Sequence, residues 1–369
     1  MLVDRVALRD FRNYERADVA LAPKLTIVTG SNGAGKTNLL EAVYFGLTAR
    51  SCRTRNEREM VRHGCRVTHV AVDATDDSGT HRFEVGFEPG EAKRISIDGA
   101  AQTSAPIAQV QRPPVSVFVP ERLELIKGAP ALRRSHVDQL IAAIWPARAE
   151  TRASYSRALA QRNALIARIR AGRSSPSSLD PWDQELSRAG FALMEDRAAA
   201  LDEVVPLFAQ RATEIGLPGA AAIRYRPRSQ AASAGDLLTE LEQRRDGDLD
   251  RGFSGHGPHR DDLMLELAGR SLRSYGSQGQ QRAALLALLF AERDVLVEAG
   301  RPPLMLLDDV MSELDAKRRS QLVGLIRSGG QALLTATEFA HVPAEAAADV
   351  ALVNVTDGVA DGAQGLRAA

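Results

Sequence analysis

The eight residues GSNGAGKT, Gly30 to Thr37, restrict this chain more than any other stretch. They fit the pattern G-x-x-x-x-G-K-[ST], with the short apolar run LTIVT before them and the helically spaced TNLLEAVYFGL behind. A strand, a glycine-rich turn and a helix in that order aim backbone N–H groups and the positive helix end at one point, which suits a polyphosphate. Gly30, Gly33 and Gly35 allow the tight wrap, and Ser31, Asn32, Ala34 and Asn38 complete the expected nucleotide-binding stretch. Lys36 is in register to reach the β- and γ-phosphates and Thr37 to ligate Mg²⁺. Only five of the 47 basic residues are lysines, so the one in this loop stands out from an arginine-biased background.

A second stretch, LMLLDDVMSELD (residues 304–315), supplies the complement. Four apolar residues read as a buried strand, and Asp308 at its carboxyl end can hold Mg²⁺ directly or through water. Asp309 follows where an acidic group can orient or deprotonate an attacking water. Two adjacent carboxylates repel, which can raise the pKa of one of them. Lys36 and Asp308 are 272 residues apart, too far for a compact one-domain kinase or small GTPase, so a large insertion is expected between them.

The third stretch is YGSQGQQR, residues 275–282, directly ahead of the apolar run AALLALLFAERD. Ser277, Gln278, Gly279 and Gln280 match the S-x-G-Q core of the signature in ABC-type ATPases. A hydroxyl at a helix N-terminus is a second anion site, yet one nucleotide does not need two such ends from one chain. The consistent reading is that Ser277, Gly279 and Gln280, with Gln281 adding an amide, meet the γ-phosphate held by a second copy. The loop is then a dimerisation switch completed by ATP.

The rest of the chain frames these motifs. LVDRVALRDFRNYERADVALAPKLTIVTG predicts two antiparallel strands and a buried one. Alternation from Val67 to Ile97 predicts a second antiparallel sheet, and PPVSVFVP a further strand. Residues 121–250 are rich in Ala, Arg, Leu and Glu with helical periodicity, and no heptad repeat is sustained. DDLMLELAG and RSLRSYGS then predict a hairpin, and PLMLLDD and QALLTAT two more strands. The expected fold is α/β: residues 1–120 and 251–369 form an ATPase head with an antiparallel β subdomain, and 121–250 an inserted helical lobe. The charged, alternating N-terminus and a longest apolar run of nine residues argue against a signal peptide and a membrane span, so a soluble cytoplasmic protein is expected. Cys52 and Cys65, near His63 and His69, lack the tight C-x₂₋₄-C spacing of a structural zinc site.

Taken in order, LRDFRNY, GSNGAGKTNLLEAVYFGLTARSCRT, LIKGAPALRRSHVDQ, GPHRDDL, YGSQGQQRAALLALLFAE and LLDDVMSELDAKRR resemble the RecF family of the SMC/Rad50-type ABC ATPase superfamily. The resemblance spans nearly the whole chain. It implies binding of ATP with Mg²⁺, slow DNA-stimulated hydrolysis, ATP-dependent homodimers on DNA (duplex, gapped or junction), and action with RecO and RecR in recombinase loading during replication and repair. It carries ATP-phosphate contacts onto Gly30 through Thr37, the acidic pair onto Asp308 and Asp309, and the signature onto Ser277 through Gln281. Three features depart from the wider superfamily. Gln278 replaces a signature glycine. No histidine stands directly after the ALLTAT strand, where many ABC enzymes have a switch histidine, and Thr335 or Thr337 would stand in. Glu121 is the nearest substitute for a Q-loop glutamine.

Net charge is zero, so DNA binding requires a local basic patch. The candidates are the arginines between Arg50 and Arg66, Arg133 with Arg134, and the RYRPR run from Arg224. GPHRDD, with His259, Arg260, Asp261 and Asp262, reads as a turn whose charges pair with one another. The competing functions are the ATPase subunit of a transporter, a structural DNA-tethering ATPase and a small-molecule kinase. A transporter subunit usually has its phosphate loop and signature closer than the 241 residues between Lys36 and Ser277, the tethering ATPase needs missing heptads, and a kinase has no use for the signature.

Overall fold

The computed structural model describes residues 1–102, 112–311, 316–337 and 350–365. The chain opens with β1 (Leu2–Phe11), β2 (Tyr14–Ala20) and β3 (Leu25–Thr29), then the Lys36–Thr48 helix. It continues through β4 (Thr68–Asp76), β5 (Gly79–Phe87), β6 (Arg94–Ile97), β7 (Ala100–Ala101) and β8 (Val115–Phe118). Long helices follow at Pro130–Ile144, Ala149–Arg170 and Asp180–Glu214. Next come β9 (Ala221–Arg226), two short helices, β10 (Asp262–Leu267) and β11 (Arg270–Ser271). The helix Gln278–Glu298 leads to β12 (Leu304–Leu307), the helix Ala316–Arg327, β13 (Gln331–Ala336), β14 (Val350–Thr356) and β15 (Val359–Gly365).

Two compact units result. One comprises Met1–Leu123, Arg211–Leu217 and Leu285–Ala369; the other comprises Glu124–Gln210 and Pro218–Ala284. The first holds an antiparallel sheet in the order β2-β1-β4-β5-β6-β7 and a mostly parallel sheet in the order β15-β14-β3-β13-β12-β8. Their sequences differ as burial demands. β1 alternates, burying Val3, Val6, Leu8 and Phe11, with an irregularity between Val3 and Arg5 that shifts the phase by one residue. The inner parallel strands LTIVT, LMLL and QALLTA are almost wholly buried and read as continuous apolar runs. The Lys36–Thr48 helix packs on the antiparallel sheet, and a Cβ on its Gly46 would lie 2.5 Å from Val72, so the residue admits close approach.

In the parallel sheet β3 lies between β13 and β14, and β13 separates β3 from β12. The carboxyl ends of β3, β13 and β12 are therefore neighbours, the usual place for a ligand in an open α/β sheet.

The second unit contains more than helices. β9 pairs with β10, and β10 with β11, in a three-stranded antiparallel sheet. AAIRYR has the alanine content of its helical surroundings, and only the burial of Ala221 and Ile223 on alternate positions marks it as a strand. Because the β10 hairpin pairs with β9, residues 251–284 cluster with the second unit, where the sequence expectation had ended the insertion at 250. RSLRSYGS supplies only the two residues of β11 before turning into a short helix, Leu272–Tyr275. The β14–β15 hairpin was not anticipated, although its Asp357-Gly358 turn, both residues at positive φ, is a strong hairpin signal. Among the described residues no helix is long and apolar enough to cross a membrane.

Candidate nucleotide-binding site

The loop between β3 and the Lys36–Thr48 helix takes left-handed or related backbone at Gly30 (φ 151°), Gly33 (84°) and Gly35 (122°). A Cβ at Gly30 would stand 2.2 Å from the Val355 carbonyl oxygen, so this position admits nothing larger than glycine. Three elements brace the loop. Asn13 Nδ2 donates to the Ala34 carbonyl at 2.8 Å, Gly358 N–H donates to the same oxygen at 2.9 Å, and Tyr14 Oη donates to the Gly35 carbonyl at 3.0 Å. Ser31, Asn32 and Gly33 are exposed at the rim. Lys36 Nζ donates to the carbonyls of Gly30 (2.7 Å) and Ser31 (2.9 Å). Burial lowers the Lys36 pKa, and Asp308 and Asp309 oppose that shift.

Asp308 follows the last residue of β12. Thr37 Oγ1 donates to it, lying 2.9 Å from Oδ1 and 3.1 Å from Oδ2, and Thr335 Oγ1 on β13 donates to Oδ1 at 2.7 Å. Burial raises the Asp308 pKa and the Asp309 charge adds to this, while the hydroxyl donors from Thr335 and Thr37 lower it. A threonine hydroxyl beside a carboxylate is a hard oxygen set of the kind Mg²⁺ takes when phosphate and water complete its shell, so these residues fit that ion. Asp309 has φ 48°, and its N–H donates to Thr335 Oγ1 at 2.9 Å. Residues 312–315, which continue the acidic run, lie outside the described residues.

Thr335 is fully buried, donates to Asp308 and accepts from Asp309. Its proton is committed, so Thr335 does not present a donor to a substrate phosphate as a switch histidine would; Thr337 sits at the bend just after β13.

Beside the phosphate loop lies a charge cluster that the motifs did not reveal. Glu41, fully buried, accepts two hydrogen bonds from Arg12 at 2.9 Å each and one from Ser51 at 2.5 Å. Arg53 Nη1 lies 3.4 Å from Glu41 and donates to Asn38 Oδ1 at 2.9 Å, and Asn38 Nδ2 donates to Asn13. Glu121, in the short turn Pro120–Leu123 that follows β8, pairs with Arg53 at 3.4 Å and so lies one side chain from Asn38. LRDFRNY thus serves the loop through Asn13 and Tyr14, while Arg12 holds Glu41 on the helix behind it.

In the second unit, Ser277 and Gln280 cap the helix that starts at Gln278. Ser277 Oγ accepts from the Gln280 N–H (3.2 Å), and Gln280 Oε1 accepts from the Ser277 N–H (2.9 Å), a reciprocal capping box. Ser277, Gln278 and Gly279 are exposed, and a Cβ at Gly279 would meet nothing within 4 Å. Gln281 does not join them. It is buried and donates to the Leu272 carbonyl at 2.7 Å, which corrects the expectation of a further amide contact.

The arginine candidates separate by environment. Arg53 and Arg62 are partly buried and ion-paired, with Glu41 and Glu121 and with Asp10 and Glu15, whereas Arg50, Arg55, Arg58 and Arg66 are exposed, Arg66 in a surface pair with Glu88. Arg133 is corrected outright. It is 4% exposed and holds Asp262 through Nε (2.7 Å) and Nη2 (3.0 Å), with the carbonyls of Leu125, Ile126 and Gly128 on Nη1. Arg134 donates to the Asp261 carbonyl at 2.7 Å. Arg224 and Arg226 are largely exposed beside Glu266.

The charges of GPHRDD do not pair with each other. Asp261, fully buried, accepts from Tyr225 Oη (2.5 Å), the Arg228 N–H (2.7 Å) and Arg197 (3.1 Å), and Arg197 also grips Asp138. His259 joins Tyr155 Oη (2.6 Å) to the Ser254 carbonyl (2.9 Å). The segments RRSHVD and GPHRDD are two halves of one buried ionic lock, more than 120 residues apart in sequence.

A glycine-rich loop after the central strand of a parallel sheet, an acidic pair two strands away, an antiparallel subdomain and a helical insertion define the head of an ABC-type ATPase. The model of the RecF/RecN/SMC N terminal domain matches residues 2–359. The chain belongs to the RecF family. It is 40% identical over 365 residues to the DNA replication and repair protein RecF of Anaeromyxobacter sp. (strain Fw109-5), covering 96% of this chain and 97% of that one. It is 37% identical over 358 residues to RecF of Streptomyces avermitilis, with coverages of 93% and 95%. Among solved structures, the recombination mediator protein RecF-ATP of the RecFOR pathway superposes with TM-score 0.86 at 26% identity, covering 98% of this chain and 97% of that chain. An Smc head bound to the C-terminal winged helix domain of ScpA, 14% identical with TM-score 0.60, shares the fold.

Proposed function

We propose that this chain is an ATP-dependent DNA-binding protein of replication and recombinational repair, in which ATP drives dimerisation on DNA and hydrolysis ends it. The observation that carries the reading is the meeting of Thr37 and Asp308 at adjoining strand ends, beside a lysine folded into a glycine loop. In this reading Gly30 through Thr37 hold the phosphates, with Lys36 leaving its loop carbonyls for the β- and γ-oxygens. Thr37 and Asp308 hold Mg²⁺, which supplies charge neutralisation on the phosphates when bound. Asp309 orients the attacking water and accepts its proton. Ser277, with its hydroxyl proton free to donate, Gly279 and Gln280 complete the site of a second copy from the helix N-terminus.

The curated relatives are named as replication and repair proteins and a solved relative is placed in the RecFOR pathway, which supports DNA, RecO and RecR as partners. Gapped or junction DNA is the preferred substrate of the proposed clamp, and the exposed Arg50, Arg55 and Arg58, which make no ion pair among the described residues, are its proposed phosphate contacts in the Arg50–Arg66 segment.

Sedimentation at fixed concentration, without nucleotide and with Mg-ATP, tests the switch. Doubling of mass only with ATP is expected, followed by DNA binding that weakens steeply with salt. A monomer in both states, with and without DNA, would remove the trans role of Ser277.

A further inference from the structure

Hydrolysis makes two separate demands on the acidic pair. Asp308 has to keep its carboxylate turned toward Thr37, and Asp309 has to stand at a fixed place beside it. Nothing in LMLLDD secures either. Asp308 is 6% exposed, and Asp309 occupies left-handed backbone, which is less populated than the extended or helical regions even for aspartate.

One side chain answers both demands. Thr335 lies on β13, between the strand that carries the acidic pair and the strand that carries the phosphate loop. Its hydroxyl donates to Asp308 Oδ1 at 2.7 Å and accepts the Asp309 N–H at 2.9 Å. The Thr37 hydroxyl meets the same Asp308 Oδ1 from the other side. Pairing of Leu307 with Leu334 sets Asp308 and Thr335 level at the strand ends, so the contact follows from strand register.

We propose that Thr335 is a positioning residue for ATP hydrolysis, holding the Asp308 carboxylate toward Thr37 and pinning the backbone of Asp309. The proposal rests on the ATPase reading above. Thr335 is fully buried, and it acts through the acidic pair. Oriented partners behind a ligating carboxylate typically change activity 10- to 100-fold when removed.

The test uses the full-length protein with Thr335→Val, which keeps the shape and removes the hydroxyl, and Thr335→Ser, which keeps the hydroxyl. The readouts are steady-state ATP hydrolysis, affinity for a fluorescent non-hydrolysable ATP analogue, and the lifetime of the ATP-dependent dimer in sedimentation. Thr335→Val is expected to lower kcat by about 10- to 100-fold, with KM and analogue affinity within about threefold of wild type and a longer-lived dimer. Thr335→Ser should restore kcat to within about threefold, which a purely packing role would not produce.

Wild-type turnover with an equally active valine variant overturns the assignment. So does a serine variant as slow as the valine one, or a valine variant that loses analogue affinity as much as it loses rate. A wild-type protein that binds ATP without turning it over overturns the hydrolysis reading itself, and is told apart by that control. If Thr335→Val does not fold, Thr335→Ser together with Thr335→Cys, whose thiol is a weaker donor, makes the same comparison: a graded fall in kcat supports the proposal and equal rates defeat it.

Discussion

The Thr37 hydroxyl reaches both oxygens of the Asp308 carboxylate, at 2.9 and 3.1 Å, across 271 residues of sequence. The first turn of one helix and the end of a strand two places away in the sheet thus meet through one hydroxyl, at the cation site proposed above.

That contact separates binding from turnover. Lys36→Ala removes the group expected to face the β- and γ-phosphates and should abolish measurable ATP binding in a filter or fluorescence assay. Asp308→Asn keeps the shape and an acceptor for Thr37. It should bind ATP within about tenfold of wild type while hydrolysis falls by about 100-fold or more, in line with the loss of an electrostatic group in the transition state. Equal hydrolysis by Asp308→Asn and wild type would exclude Asp308 from the chemistry.

The Ser277–Gln280 capping box gives the signature loop a structural duty that any trans role has to coexist with. Ser277→Ala therefore confounds two effects, since loss of an N-cap alone costs about 1 kcal/mol. Ser277→Asp separates them. Aspartate caps a helix well but sets a negative charge against the γ-phosphate, so the melting temperature should hold while the ATP-dependent dimer disappears. Ser277→Arg should likewise bind ATP and fail to dimerise. Normal ATP-dependent dimers in both variants would return YGSQGQQR to the role of a helix cap.

Arg133 and the arginines near residue 55 should respond oppositely to substitution. Arg133→Ala strips the partly buried Asp262 of its ion pair and three carbonyls of a donor, and should destabilise the protein by about 3 kcal/mol, as loss of buried polar partners does. Double substitution of Arg55 and Arg58 by Ala should leave the melting temperature within a degree or two. It should flatten the dependence of log K on log salt, by about 0.9 for each duplex phosphate contact removed. An unchanged salt slope would move the DNA contact elsewhere.

His259 should make the second unit sensitive to acid. Burial, with the Arg260 and Arg134 charges beside it, pushes its pKa down to about 4, against a smaller opposing effect of the Ser254 carbonyl. The ring is thus neutral in the folded protein while the unfolded chain takes up a proton below about pH 6.5. Its contribution to stability is full above that value, declines as pH falls, and is lost once pH passes through about 4. His259→Gln should shrink the fall in melting temperature between pH 7 and pH 4 relative to wild type. An identical pH profile would show that His259 does not carry this dependence.

Much of this was legible in the sequence because it is local. Gly30 through Thr37, the apolar runs of β3, β12 and β13, and the alternation of β1 and β2 each declare themselves within about ten residues, since strand and helix periods and glycine backbone freedom act over that distance. The Asp357-Gly358 turn was equally local. It closes the hairpin whose Gly358 braces the phosphate loop.

What the sequence could not decide is where a charge finds its partner. Arg133 and Arg58 are the same residue in arginine-rich surroundings, yet one is buried on Asp262 and the other is exposed. Thr335 and Thr337 lie two residues apart, and only strand register puts Thr335 against Asp308 and Asp309. The motifs determined the class of chemistry, because that chemistry requires particular groups at particular spacings along one loop. Tertiary structure alone decided which remaining polar groups serve the site and which serve the fold, because desolvation and hydrogen-bond geometry arise only when distant segments meet.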